Sequence, residues 1–198
     1  MSKLSDKTIR LVLKFEGLDQ PAEWPGGSSG ITIGIGYDLG YVTVDQFESD
    51  WGEFLLTSHI QRLKSVVGLR GIKARNRAPQ FSDIVIKRAD SEKVFLERTI
   101  PLHQLKARQA FPGIEMLPID AQGALVSLVY NRGTSMVDDS PQDRRREMRA
   151  IRDAVARQDL REIANQLRSM KRLWVGKNLD GLLRRRDAEA ELVESCIV

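Results

Sequence analysis

Glu16, Thr32 and Asp38 are the residues whose types and positions invite chemistry. Glu16 closes a segment in which Ile9, Val12 and Leu13 recur at helical spacing, which places its carboxyl on the apolar face at the last turn. Burial there disfavours the anion, and so does the negative end of the helix dipole. A carboxyl in that setting stays protonated near neutral pH and can serve as a general acid. The bland alternative is a glutamate paired with an arginine at a helix end. Thr32 and Asp38 lie in the stretch ITIGIGYDLG, residues 31–40. Its alternation puts Ile31, Ile33, Ile35 and Tyr37 on one face of a strand and Thr32, Gly34, Gly36 and Asp38 on the other. The second face is nearly bare, which lets a bulky ligand approach the backbone. On it Thr32 can orient a water, and Asp38 can act as a base or electrostatic partner, or simply as a turn residue. In a straight strand the six residues between them span roughly 20 Å, so they share a site only if the chain bends at Gly34–Gly36.

The elements that must position these residues follow from the same pattern. Residues 5–16 read as a helix, with Ser5 or Asp6 as N-cap and Gly17 at its end. Residues 18–30 are rich in turn formers and lead into the alternating stretch, which predicts a β-hairpin or three-stranded sheet. From about residue 43 the signals are helical. Asp45 caps a segment through about 66, IKARNRAPQ reads as a break, and Asp90 or Ser91 caps a helix through about 110. FPGIEMLP is a second break. Asp120 then caps AQGALVSLVYNRG, apolar almost all round and so expected at the centre of the helical core. Ser140-Pro141 and Asp159 open two further helices, and LLRRRDAEAELVES closes the chain. The predicted class is α+β: a small β lobe, about 18–42, and a helical lobe, 1–17 and 43–198, within a single domain spanning 1–198. Arg184, Arg185 and Arg186 open the last helix at the end where the dipole disfavours cations, so they are expected to pair with carboxylates elsewhere, one of them with Glu16.

Composition narrows the function classes. With 41% apolar and 29% charged residues the chain has the make-up of a soluble globular protein long enough to bury a core. One cysteine, Cys196, excludes an intramolecular disulfide, and with His59 and His103 as the only histidines a zinc site is not expected. No apolar run approaches a membrane span, and the charged N-terminal segment does not read as a signal peptide. Residues 142–190 hold 14 Lys and Arg against 8 Asp and Glu, although the whole chain is only +4. Such a region suits nucleic acid, anionic lipid or an anionic polymer such as bacterial cell wall, or is a solvated helical surface. The absence of a groove-reading motif argues against nucleic acid.

KFEG in a first helix, a turn-rich gap and then SGITIGIGYDLG resemble the phage-type lysozymes of glycoside hydrolase family 24, most closely their pesticin-like branch. ALVSLVYNRG resembles that family's central helix, and GLLRRRDAEAEL its closing Gly-Leu-x-x-Arg-Arg-x-x-Glu helix. The resemblance implies a lysozyme-like fold and a muramidase that needs no cofactor or metal, cleaving the β-1,4 bond between N-acetylmuramic acid and N-acetylglucosamine in peptidoglycan. It implies Glu16 as general acid and Thr32 as the active-site threonine. The common phage enzymes carry their aspartate just before the threonine, where this chain has WPGGSS and no acid. The pesticin-like branch carries it in the GYD segment, which is Asp38 here, with Asp19 and Glu23 as the alternatives. Arg185 becomes the partner of Glu16, and Trp24, Tyr37 and Asn131 the glycan contacts. The biology that goes with it is an endolysin or bacterial toxin effector, made in the cytoplasm and acting on the wall after release, with an immunity or delivery partner compatible with that role. A lytic transglycosylase and an inactive peptidoglycan-binding domain are the alternatives.

Overall fold

The computed structural model describes residues 4–197, with the backbone alone at 19–22. It has the expected α+β class. Helix α1 (Asp6–Phe15) leads into a three-stranded antiparallel sheet of β1 (Asp19–Glu23), β2 (Thr32–Gly34) and β3 (Tyr37–Asp38), in the order β1-β2-β3. Helices follow: α2 (Val44–Trp51), α3 (Thr57–Lys64), α4 (Ile72–Arg77), α5 (Arg88–Val94), α6 (Ile100–Ala110), α7 (Ile119–Arg132), α8 (Arg146–Ala156), α9 (Leu160–Ser169) and α10 (Asp180–Glu194). None of the described helices is long and apolar enough to cross a membrane.

Packing divides the chain into two compact units. One comprises residues 1–15 and 102–198, the other residues 16–101. The unit around the sheet is therefore larger than the expected β lobe of about 18–42. The reason is the core: Ile31, Ile33 and Tyr37 of the sheet region are buried together with Phe47 and Trp51 of α2, Leu63 of α3, Ala74 of α4 and Phe81. The sheet is too small to bury its own apolar face and takes helices α2 to α5 as its cover.

In the other unit α7 is central. Every residue from Ala121 to Val129 is buried, and the helix stops at Gly133, whose φ of 71° suits glycine. Helix α1 is held against α7 by polar contacts. Ser5 caps α1 by accepting from the Thr8 N–H at 3.2 Å and donates to the Asp120 carboxylate, which also meets Lys7 at 3.4 Å. Thr8 packs on Gly123 so closely that a Cβ there would lie 1.8 Å from Thr8 Oγ1. Asp120 thus ties α1 down in the first turn of α7, and Pro118, not Asp120, occupies the cap position.

Several expected boundaries move, each for a local reason. Thr43 rather than Asp45 caps α2, accepting from the Gln46 N–H at 3.2 Å, and the segment to residue 66 is two helices rather than one. IKARNR is a helix, not a break: Gly71 turns the chain with φ 60°, and Ala74 gives α4 a buried contact. Helix α5 starts at Arg88, ahead of Asp90 and Ser91, and is separated from α6 by a π-helical turn at Phe95–Thr99. Ser140-Pro141 does not open α8, which begins at Arg146. Asp138 draws the preceding loop into turns by accepting from the Ser140 N–H at 2.9 Å and the Arg144 N–H at 2.8 Å. Asp159 caps α9 as expected, through the Glu162 N–H at 3.0 Å.

The glycine-rich face is not bare. Gly34 has φ 61°, and a Cβ on it would lie 2.6 Å from Ser91 Oγ and 2.7 Å from Trp51 Cη2. The expected open floor for a ligand is, at this position, a packing contact inside the unit. Gly34→Ala should therefore destabilise the protein by about 2 kcal/mol or more through strain and overpacking. Urea denaturation measures it, and a loss within error of zero would contradict the packing described.

Candidate active site

The bend required of residues 31–38 is present. Gly34 and Gly36 both take φ of 61°, and β2 folds back on β3 so that Thr32 faces Asp38 and Ile33 faces Tyr37. Directly opposed residues of an antiparallel pair project to the same side with Cα atoms roughly 5 Å apart, so Thr32 and Asp38 share a face. On the other side of β2, Thr32 is also the register partner of Glu23 on β1. The sheet thus lines up Glu23, Thr32 and Asp38 in one cross-strand row, with Glu23 exposed, Thr32 buried and Asp38 half-buried. The register between Asp19 and Glu23 is irregular, and the side chain of Asp19 lies outside what is described.

Asp38 is held firmly. Its Oδ1 accepts from the Gly30 N–H at 2.9 Å and the Gly40 N–H at 2.8 Å, and Oδ2 lies 3.2 Å from the Gly30 nitrogen. The carboxylate thereby caps the 3-10 turn Leu39–Tyr41 and pins it to the chain ahead of β2. Burial pushes its pKa above the usual aspartate value, against the Gly40 and Gly30 N–H bonds and the nearby Arg70 cation, which favour the anion. The two backbone donors are residues that sequence reasoning missed. Their trace was an aspartate two residues before a glycine, the pattern of a side chain bonding its own downstream backbone.

Glu16 stands one residue beyond the last turn of α1, half-buried, and is the first residue of the unit that contains Thr32 and Asp38. The α1 face behind it is narrower than expected, with Thr8 and Val12 buried and Ile9 and Leu13 only partly so.

The expected glycan contacts fall in different settings. Tyr37 is a core residue, 6% exposed, stacked edge-on against Trp51, with its hydroxyl donating to Asp50 Oδ2 at 2.8 Å. That placement corrects its assignment as a sugar contact. Burial and the Asp50 carboxylate together push its pKa far above the usual tyrosine value. Trp24 is half-buried and donates its indole N–H to the Ser29 carbonyl at 3.1 Å. Asn131 is exposed near the end of α7, in the other unit.

Arg185 also belongs to the other unit and is buried. Its Nε lies 3.3 Å from Glu189 Oε1, an oxygen that also accepts from Arg186 Nη2 at 2.7 Å and Ser127 Oγ at 2.6 Å. Two arginines of α10 therefore meet a carboxylate one turn further along the same helix. Burial pulls the Arg186 guanidinium down to about 10, with Glu189 opposing that shift and Arg185 adding to it. Part of the basic excess of residues 142–190 is likewise spent internally, in Arg172–Glu147, Lys171–Asp187 and Arg168–Glu194 pairs.

A comparison with known protein families matches residues 78–189, more than half of the chain, to phage lysozyme. The matched segment begins just after α4, covers the helices from α5 into α10 and lies C-terminal to Glu16, Thr32 and Asp38. A comparison with curated proteins returned no match.

The clasp made by Asp38 separates its structural from its ionic contribution. Asp38→Asn keeps an acceptor oxygen, whereas Asp38→Ala removes it and should cost about 1–3 kcal/mol of stability. Because the folded-state pKa lies above the unfolded one, the stability linked to Asp38 ionisation is whole below the ordinary aspartate value of about 3.9 and is lost as pH rises through the folded value. Urea denaturation at a series of pH values should show wild type losing stability relative to Asp38→Asn as pH rises through that window. A flat or opposite difference would contradict the burial described.

Proposed function

Because the chain belongs to the phage lysozyme family, a family of glycoside hydrolases, we propose that it cleaves the β-1,4 bond between N-acetylmuramic acid and N-acetylglucosamine, with Glu16, Thr32 and Asp38 as the working residues. Membership itself makes the protein a peptidoglycan hydrolase in general terms. The bond and the residues are the proposal, and one observation carries it: the register that sets Thr32 opposite Asp38 on a bent hairpin, within the unit that Glu16 begins.

In this reading Glu16 protonates the leaving oxygen as the glycosidic bond lengthens toward an oxocarbenium-like state. Asp38, held in place by two backbone donors, activates a water or stabilises the cation, and Thr32 orients that water. Water adds to the anomeric carbon, and its proton passes to the carboxylate. Trp24 contacts the glycan, and the site of action is the cell wall. Glu23 gives a second reading of the second carboxylate, because it flanks Thr32 from β1 as Asp38 does from β3.

Purified protein should clear purified sacculi and release reducing ends, and Glu16→Gln should lower the rate by roughly 10²–10⁴-fold while the unfolding curve stays in place. Equal clearing by that variant would remove Glu16 from the mechanism. Sacculus binding without release of reducing ends would instead identify an inactive binding domain, and anhydro products a transglycosylase. Comparing Asp38→Asn with Glu23→Gln decides the second carboxylate: the larger loss of turnover without loss of stability should fall on Asp38.

A further inference from the structure

We propose that a surface platform of two arginines and two aromatic rings beside Asp38, made of Trp24, Tyr41, Arg70 and Arg75, binds the carboxylates of the peptide stems carried by a peptidoglycan strand. The inference deepens the reading above and rests on it for the identity of the polymer.

The platform is a built surface within one unit. The Arg70 guanidinium lies 5.1 Å from the Tyr41 ring centroid and that of Arg75 lies 5.7 Å from the Trp24 ring. The loops that carry them are laced together: the Gly71 N–H donates to the Ser29 carbonyl at 2.9 Å, the Trp24 indole to the same carbonyl at 3.1 Å, and the Tyr41 hydroxyl to the Ser28 carbonyl at 3.2 Å. Its link to the site is direct. The Arg70 stem packs on Gly40, where a Cβ would come within 2.7 Å of Arg70 Cγ, and the Gly40 N–H is one of the two donors that hold Asp38.

Its cations are not closed off by ion pairs among the described residues. Arg70 and Arg75 are exposed, Tyr41 is 59% exposed, and among the described residues neither cation forms a salt bridge. Arg70 favours the Asp38 anion through space. The two exposed cations contrast with Lys171, Arg168 and Arg172 of the other unit, each of which is closed off by an acid.

A guanidinium stacked on a ring keeps its N–H edge outward and gives up little freedom when it binds, and its planar fork matches a carboxylate through two parallel hydrogen bonds. Where the muramic lactyl groups are amide-linked to stems, the sugar chain itself offers these cations no anion. The peptide stems of peptidoglycan do, and they are attached to the same polymer that must reach Asp38. That position favours carboxylates of the substrate over phosphates from another source.

Titration with the free stem tripeptide, followed by the Trp24 indole and the Arg70 and Arg75 Nε–H resonances, tests binding without relying on turnover. Shifts at these groups that vanish in Arg70→Gln/Arg75→Gln are expected. No shifts, or shifts as large with inorganic phosphate at equal concentration, overturn the proposal. In steady-state assays wild type should show a KM roughly tenfold lower on peptide-bearing glycan than on glycan whose stems are replaced by neutral amides at the lactyl groups, as one or two charge-assisted contacts imply. The double variant should bring that ratio toward one, and a ratio it leaves unaltered also overturns the proposal. If wild type turns over neither polymer, the muramidase reading fails, and the titration alone still decides the platform.

Discussion

The sheet unit depends on one half-buried carboxylate. Without Asp38 the segment before β2 and the turn after β3 keep the Tyr41–Ser28 contact at the surface, but the Gly30 and Gly40 N–H groups lose a common acceptor. Main-chain bonds run through the same place: Leu39 N–H reaches the Ile31 carbonyl at 2.9 Å, and Gly68 N–H reaches the Leu39 carbonyl at 2.9 Å. The clasp therefore fixes not only the hairpin but also how the chain after α3 returns to it. Burial resists ionisation of the group while the two donors and Arg70 favour it, so its protonation is set by a contest of environment rather than by its chemistry alone. A residue so placed can frame a site and act in it, provided that one oxygen keeps room for a further partner.

Much of this was legible in the sequence where a local rule had no competitor. The capped start of α9 at Asp159, the apolar run of α7 with Gly133 behind it, and the bend at Gly34–Gly36 all follow from short-range chemistry. The misread elements are those where a side chain found a better partner than the one nearest in sequence. Asp120 looked like a cap and instead ties α1 to α7; Asp138 spent its oxygens on a loop and delayed α8 to Arg146. Tyr37 is the instructive case in the site. Alternation correctly put it on the packed face, and that same fact removes it from contact with a sugar. The glycines beside it looked like vacant space because periodicity reports which face a residue takes but not what covers that face; Trp51 and Ser91 were too far along the chain to be seen.

Two pairs of arginines, one in each unit, are placed in opposite ways. In the helical one, Arg185 and Arg186 are buried and converge on Glu189, so their charge is part of the interior. Removing Glu189 there would leave two guanidiniums without their shared acceptor, a far larger penalty than the loss of a surface pair. In the sheet unit, Arg70 and Arg75 lie on aromatic rings at the surface and keep their hydrogen-bonding edges open. A count of charges along the chain marks residues 142–190 as the basic region, yet free positive charge stands out on a segment that the count passes over.

Helix α7 carries a kinetic consequence. Its buried run from Ala121 to Val129 is packed against both α1 and α10, and Thr8 seats itself where Gly123 leaves no room for a side chain. Its backbone amides can meet solvent deuterium only when the surrounding helices come away together, so they exchange through cooperative opening rather than local fraying. The slowest amides of that unit are thus a built-in gauge of its opening free energy, readable without denaturant.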